Sequence, residues 1–594
     1  GLKPMRDVII IGAGGGGPVV AKELDQRGLD VLLLEAGARN ADSEASWTHF
    51  ENDSNNPITG TKRYGPGDRD LQFWTRELPK PAQILNVAGV GGTTQMYFGN
   101  SPRAMPGAFA GYSGSDHDQY DREHEFPFGY DELRPYYEWV EATLPVQTAA
   151  MGTSERTFFN GCENLGMSVQ TQKDIVADGF LPQENAVLQP GGNAGLTTDT
   201  AALEYPNANG CTFCGHCLQG CYQPRKAPRN LKARRSTDNS YVPMALTADL
   251  WANGGRAVTL VTDAYVTQIH SEEINGQAQA TGVSWRDVNT GEVHTEHAHV
   301  VVMSAGCIEN PRLWHNSNLP NPNDWVGRGL TDHAFDIVVG VFPFYTGGAK
   351  GVGSSARADF PGRGCIEPTT MGPSFLSSTM MFSDSGIRGQ YDNGRGVFGD
   401  WDGASGRVVG KELKSILEDI NSSLTMLIIT DDDVEADNRV SLSESRNDDH
   451  GAVAKVDMEK RLRSQRTLDN RDFLANKAAS ILRAAGATDV IRVDTVPILL
   501  HVQSSMRMGA DASNSVLDTN AESRFVKRLY VADNSALANA LGGPNPTLTT
   551  QALATRTAEK IYQQYFGGSP WVGVETPLSS IDDSVTQAVM AKGI

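Results

Sequence analysis

The chain has 594 residues, too many for one ordinary hydrophobic core, so two closely linked domains are expected. Its 39% hydrophobic and 21% charged content is that of a globular protein and excludes a disordered one. A formal net charge of −20 argues against an extended nucleic-acid surface, because phosphate binding needs a basic face.

Near the N-terminus, Val8-Ile9-Ile10-Ile11 is a short apolar run of the kind that forms a buried parallel strand. Gly12-Ala13-Gly14-Gly15-Gly16-Gly17 follows, then a helical stretch over 19–26 and a second strand, Val31-Leu32-Leu33-Leu34, that ends at Glu35. Gly12, Gly14 and Gly17 make G-x-G-x-x-G between strand and helix. That pattern supplies a tight turn, close approach to a pyrophosphate, and packing of helix on strand. The helix N-terminus then offers unpaired N–H groups and the positive end of its dipole to phosphates. Glu35, 23 residues after Gly12, can accept from ribose hydroxyls, the alternative being a plain surface carboxylate. The context predicts dinucleotide binding and leaves FAD and NAD both open.

Further along, Cys211, Cys214, Cys217 and Cys221 fall within eleven residues as C-x2-C-x2-C-x3-C. Thiolates at this spacing can wrap iron–sulfur; zinc with His216 as a further ligand, and local disulfides, are the alternatives. Cys162, Cys307 and Cys365 are expected to be small buried residues. The basic run from Arg225 to Arg235 reads as a solvated surface loop, with an anion or partner site as the alternative. Strand-rich segments follow over 257–302 and in Leu529-Tyr530-Val531-Ala532-Asp533, while 347–407 is polar and glycine-rich with little periodicity. The last clear helix covers 548–565. No window approaches 18 consecutive apolar residues, so no membrane span is expected. The chain is read as cytoplasmic, with a removed export signal left open.

Several stretches carry a resemblance. Asn86-Val87-Ala88-Gly89-Val90-Gly91-Gly92-Thr93-Thr94 resembles the flavin-contacting glycine segment of the glucose–methanol–choline (GMC) oxidoreductases. Ser304-Ala305-Gly306-Cys307-Ile308-Glu309-Asn310-Pro311 resembles that family's second signature, and Val326-Gly327-Arg328-Gly329-Leu330-Thr331-Asp332-His333 its G-R-x-L-x-D-H stretch. Tyr130-Asp131-Glu132-Leu133-Arg134-Pro135-Tyr136-Tyr137 is similar to a segment of the gluconate and fructose dehydrogenase branch. His501-Val502-Gln503-Ser504-Ser505-Met506-Arg507-Met508-Gly509 resembles the active-site H-x-x-G-T-x-R-M-G, with Ser504-Ser505 in place of Gly-Thr. Val531-Ala532-Asp533-Asn534-Ser535 and Gly543-Pro544-Asn545-Pro546-Thr547-Leu548-Thr549 resemble its C-terminal flavin contacts. The nearest branches are those of the gluconate, fructose and glucose dehydrogenases and the pyranose-oxidase-like enzymes.

The resemblance implies an α/β fold with a discontinuous Rossmann-like FAD-binding domain (1–110, 225–336 and 489–567). An α+β substrate-binding domain with the cysteine-rich loop (111–224 and 337–488) is inserted into it, and 568–594 is a C-terminal extension. It implies FAD, contacted by Gly12, Gly14, Gly17, Glu35, Gly91, Gly92, Thr93, Val266, Asp533, Asn545, Pro546 and Thr547. Gln95-Met96-Tyr97-Phe98 stand where some members carry the histidine that binds FAD covalently, so non-covalent FAD is expected. His501 is the expected base, since histidine accepts a proton near neutral pH, and Asn545 the partner that orients the alcohol oxygen. A helix starting near Thr547 would aim its N-terminus at the flavin. Cys211, Cys217 and Cys221 are spaced like the ligands of a [3Fe–4S] centre in the glucose dehydrogenase branch. The expected activity is oxidation of a CH–OH group of a sugar, polyol or glycoside, with a protein or quinone as electron acceptor. An oxidase using O₂, and a lyase on the same scaffold, are the alternatives.

Overall fold

The computed structural model describes residues 5–40, 64–66, 70–72, 74–79, 83–190, 197–381, 410–458, 464–495 and 498–594. The fold is mixed α/β around a Rossmann-type sheet. Strand Arg6–Ile11 pairs in parallel with Val31–Leu34 on one side and Val293–Met303 on the other, setting Val8 opposite both Val31 and Val300. Thr259–Val261 extends this parallel core beyond Val31–Leu34, and Leu529–Val531 beyond Val293–Met303. Strands covered on both faces lose the alternating pattern and read as unbroken apolar runs. Val8, Ile9, Ile10 and Leu33 are accordingly fully buried. The first half of Val293–Met303 turns to a different partner, pairing antiparallel with Gln277–Asp287, which pairs in turn with Ala264–Ile274.

The crossover from the first strand to the second is helix Gly17–Asp25, with Pro18 in its first turn, where the missing N–H costs nothing. Gly12 sits at φ +104°, and a Cβ there would run into the Ser304 carbonyl. A Cβ on Gly16 would likewise strike the Ala532 carbonyl, so the turn lies directly against the strand that ends at Val531. Glycine is required here by backbone contact as well as by conformation.

A second sheet of six antiparallel strands runs in the order Asp489–Arg492, Asp336–Val341, Ser423–Thr430, Gly364–Thr369, Ala356–Phe360, Gly179–Pro182. Side chains alternate across it. Ala356, Ala358, Phe360, Ile366, Leu424, Met426 and Ile428 join a core with helices Thr153–Asn164 and Gln465–Ala484. The intervening positions, among them Arg357, Asp359, Glu367 and Leu427, belong to the opposite face. Strands Ala356–Phe360 and Gly364–Thr369 lie in a stretch with little readable periodicity, because their charged residues are buried and not solvated. The remainder of that stretch, 382–409, lies outside the described residues.

The segment after residue 567 holds a helix, Asp583–Lys592, capped by Asp582 and seated through Val585 and Val589 on Met244. Gly16→Ala is expected to destabilise the protein by about 1–3 kcal/mol, the usual cost of forcing atoms into a packed interior. Chemical denaturation followed by circular dichroism measures it, and an unshifted midpoint would contradict this packing.

Candidate functional site

One long cleft runs along the parallel sheet, and three helices begin on it: Gly17–Asp25, Gly306–Asn316 and Thr547–Tyr565. Their N-caps are Gly16, Ala305 and Pro546, residues with no side chain that can accept from a first-turn amide. The Gly306 amide is taken by Asp533 Oδ2 at 2.7 Å. Three N-termini without side-chain caps form a cradle for a ligand with negative charge. FAD fits it, with a pyrophosphate for the glycine turn and a flavin that becomes anionic on reduction.

The expected contact residues divide between wall and support. Gly12, Gly14, Glu35, Gly92, Thr93, Val266, Asp533, Asn545, Pro546 and Thr547 line the cleft. Gly17 and Gly91 do not; Gly17 packs on Gly12, and Gly91 turns the chain at φ +103° so that Gly92 meets Gly14. Glu35 accepts from the amides of Ala13 at 3.0 Å and Gly37 at 2.6 Å, which fixes its position at the strand end. Burial raises its pKa to about 7 against the pull of those two N–H groups. Burial also raises Asp533, whose carboxylate is held by the amides of Gly306 and Ser535 and by Asn310.

His501 lies on the same cleft as Asn545. Its backbone amide donates to Asp332 and its ring meets Phe335 edge-on, with centroids 4.8 Å apart. Its Nδ1 is 2.8 Å from Nδ1 of His333, and Nε2 of His333 is 3.0 Å from the Ala540 carbonyl. A carbonyl only accepts, so His333 Nε2 carries the proton there, and the Gln503 side-chain amide, 3.4 Å from the same nitrogen, must then present its oxygen to it. In the neutral pair His333 Nδ1 is then the acceptor, His501 Nδ1 the donor, and His501 Nε2 holds the lone pair. Burial, with His333 beside it, pushes the His501 pKa well below the ordinary histidine value. His501 is therefore neutral at physiological pH, as a base must be. His333 stood in a motif quoted from the sequence without a role. Its function depends on a 168-residue separation that no local pattern reveals.

The four clustered cysteines wall a separate cavity of about 20 Å³, with room for about one water. All are free thiols. Burial and their mutual proximity raise Cys211, Cys214 and Cys217. Among the described residues no three His, Cys, Asp or Glu side chains converge as a metal-binding group. The expected ligand set of Cys211, Cys214, Cys217 and Cys221 thus shares one cavity but is not arranged as a cluster cage.

The basic run departs further from expectation. Arg229, Lys232, Arg234 and Arg235 are buried, not solvated. Arg234 donates to the carbonyls of Gln95, Tyr97 and Cys217, stapling the cysteine loop to the segment after Gly92. Arg235 binds the Leu144, Lys232 and Asn239 carbonyls and Ser580 Oγ. Guanidinium forks satisfy carbonyls that three separate segments bring inward.

Comparison with known proteins places this arrangement. The profile of GMC oxidoreductases matches residues 176–335 with its N-terminal part and 434–554 with its C-terminal part. The 2-methyl-1,2-propanediol dehydrogenase of Mycolicibacterium austroafricanum is 26% identical over 94% of this chain and 95% of its own. The fructose dehydrogenase large subunit of Gluconobacter japonicus is 23% identical over 93% and 97%. Paromamine 6'-oxidase of Streptomyces fradiae is 24% identical over 93% and 91%. A formate oxidase structure from Aspergillus oryzae RIB40, concerned with FAD modification, matches with a TM-score of 0.59 at 12% identity, over 95% of this chain and 99% of that one. At that identity the likeness shows the fold. Among the described residues no helix is long and apolar enough to cross a membrane.

Two outcomes follow from this geometry. A Cβ on Gly14 would lie 3.9 Å from the Gly92 Cα, an ordinary contact, so Gly14→Ala is expected to fold normally yet lose bound flavin. The flavin-to-protein absorbance ratio beside a thermal melt reads both. Iron and acid-labile sulfide analysis of the purified protein tests the cysteine loop: stoichiometric amounts of both would establish a cluster on its shared cavity, and neither would leave it as thiols.

Proposed function

The chain belongs to the GMC oxidoreductases, and from that premise we propose that it is an FAD-dependent dehydrogenase of an alcohol group. We take the alcohol to be that of a polyol, sugar or glycoside. The observation that carries this reading is the His501–His333 bond, which occupies Nδ1 and so leaves Nε2 of this cleft-lining residue as the nitrogen available to substrate.

FAD, when bound non-covalently, supplies the acceptor for the hydride that leaves the carbinol carbon. His501 Nε2 takes the hydroxyl proton, so the substrate loses one proton and one hydride and becomes a carbonyl. The imidazolium that forms keeps its Nδ1–H on His333, and the ring does not reorient during proton transfer. Asn545 donates to the alcohol oxygen as it gains negative charge, without competing for the proton. The segments 1–110, 225–336 and 489–567 hold the cofactor in this reading and 111–224 with 337–488 cover the substrate, except that Asp489–Arg492 pairs with Asp336–Val341 in the six-stranded sheet, so both strands belong with the substrate part. The relatives named for a diol and for fructose support a polyhydroxy substrate. A protein or quinone takes the electrons. The relatives named as oxidases favour O₂ as the second reading.

Anaerobic stopped-flow mixing with 2-methyl-1,2-propanediol, fructose and paromamine tests this directly. At least one is expected to bleach the oxidised-flavin band; no bleaching by any would overturn the substrate class. His501→Ala is expected to slow that bleaching about 10²–10⁴-fold at unchanged flavin content. A wild-type rate would remove His501 as the base. Reoxidation by air slower than by a quinone separates dehydrogenase from oxidase.

A further inference from the structure

Asn545 is the one proposed contact to substrate whose orientation its own shape does not determine. The oxygen and nitrogen of an amide are nearly equal in size, so hydrogen-bond partners decide which faces the cleft. Those partners come from the inward face of the six-stranded sheet. Arg357 Nη1 donates to Asn545 Oδ1 at 3.4 Å. The same nitrogen donates to Glu367 Oε1 at 3.2 Å, and Asn100 Nδ2 donates to Glu367 Oε2 at 2.9 Å. The Asn545 amide also favours the ionised form of the Glu367 carboxyl. Arg357 is anchored in turn by Asp359 Oδ1 at 2.9 Å and by Gln183 Oε1 at 3.1 Å. Glu367, Arg357, Asp359, Gln183 and Asn100 are all at most 2% exposed.

We propose that Glu367, through Arg357, is a positioning residue that sets the amide of Asn545 with one N–H directed at the reacting oxygen. This rests on the role given to Asn545 above. Arginine can only donate, so Oδ1 must face Arg357. With Oδ1 held by Arg357, Nδ2 is the atom left to donate, and Asn545 lines the cleft. A buried carboxylate and guanidinium so arranged are costly unless fully bonded, and here each bond also selects the amide rotamer.

The state of Glu367 then matters. Burial raises its pKa to about 7, against the pull of Arg357 and of the Asn545 and Asn100 amides. The charged groups that face it are Arg357 and Asp359 from the neighbouring strand; the turn at Asn545 and the segment at Asn100 present amides. Above about pH 7 the carboxylate accepts from Arg357 and Asn100. Below it the added O–H meets a donor, and Asn545 is no longer compelled to face one way. His501 titrates at lower pH and Glu35 is also raised to about 7, so the part of an acid limb near 7 that belongs to Glu367 is the part that Glu367→Gln removes.

Glu367→Gln replaces one acceptor oxygen by an NH₂ that confronts donors at every pH. In the holoenzyme it is expected to slow flavin reduction tenfold to a hundredfold at saturating alcohol, about the cost of a misplaced group. The alcohol used is whichever of the three above reduces the wild type fastest. Its rate should no longer fall between about pH 8 and 6, and apparent alcohol affinity and flavin content should change little. Infrared difference spectra of the holoprotein across the same interval give a reading without turnover. The protonated-carboxyl band that grows in the wild type should be smaller by one carboxyl in Glu367→Gln. Arg357→Lys, which keeps the charge but loses the fork, should slow reduction comparably and serves if Glu367→Gln does not fold. A wild-type rate and an intact acid limb in Glu367→Gln, or a wild-type rate in Arg357→Lys, would overturn the inference. Asn545→Ala is run alongside. If it too reduces flavin normally, the role of Asn545 itself falls; if it is slow while the other variants are not, the positioning role alone falls.

Discussion

Three helix N-termini opening on one cleft, each preceded by a residue that cannot cap it, set the terms for the rest of this molecule. Amides at a helix start need an acceptor, and Gly16, Ala305 and Pro546 offer none from their side chains. From within the chain the Gly306 amide is answered by Asp533 and the Val19 amide by the Gly16 carbonyl. The cost of this design is borne by a ligand with negative charge, so cofactor binding and stability of the cofactor part are linked quantities. The glycine turn follows from the same demand, since its backbone must lie against Ala532 and Ser304 to aim the first helix at the cleft.

The chemistry is assembled from both sheets. His501 and Asn545 lie on segments adjoining the parallel sheet, and their orientation is imposed from elsewhere. His333 sits just before the strand Asp336–Val341 and fixes the tautomer of His501, while Arg357 and Glu367 reach Asn545 from two neighbouring strands. The alternation of the six-stranded sheet explains the division of labour. One face is apolar and packs on two helices, which keeps the strands rigid; the other can carry buried charge because its partners are close and fixed.

The cysteine loop and the arginines after it form a third structural unit. Arg234 ties Cys217 to the backbone that follows the flavin-side glycines, so the loop is fastened to the cofactor segment by carbonyl bonds. Charge in this region is therefore spent on architecture. A stretch that reads as basic and solvated is instead a set of guanidinium forks holding together segments distant in sequence.

Local pattern was enough to locate the first strand, the glycine turn, the second strand and Glu35, because a parallel βαβ unit writes its geometry into about thirty consecutive residues. The motifs at His501 and Asn545 were legible for a similar reason, as short stretches that must each fit a cofactor. Strands Ala356–Phe360 and Gly364–Thr369 were not, since their charges are compensated by residues far away and so look solvated. The same holds for Arg234 and Arg235, whose carbonyl partners no spacing rule predicts. Sequence by itself therefore determined which residues can do the chemistry. Tertiary structure decided how they are held, because a tautomer or an amide rotamer is set by partners, and here the partners are brought in from 168 and 188 residues away.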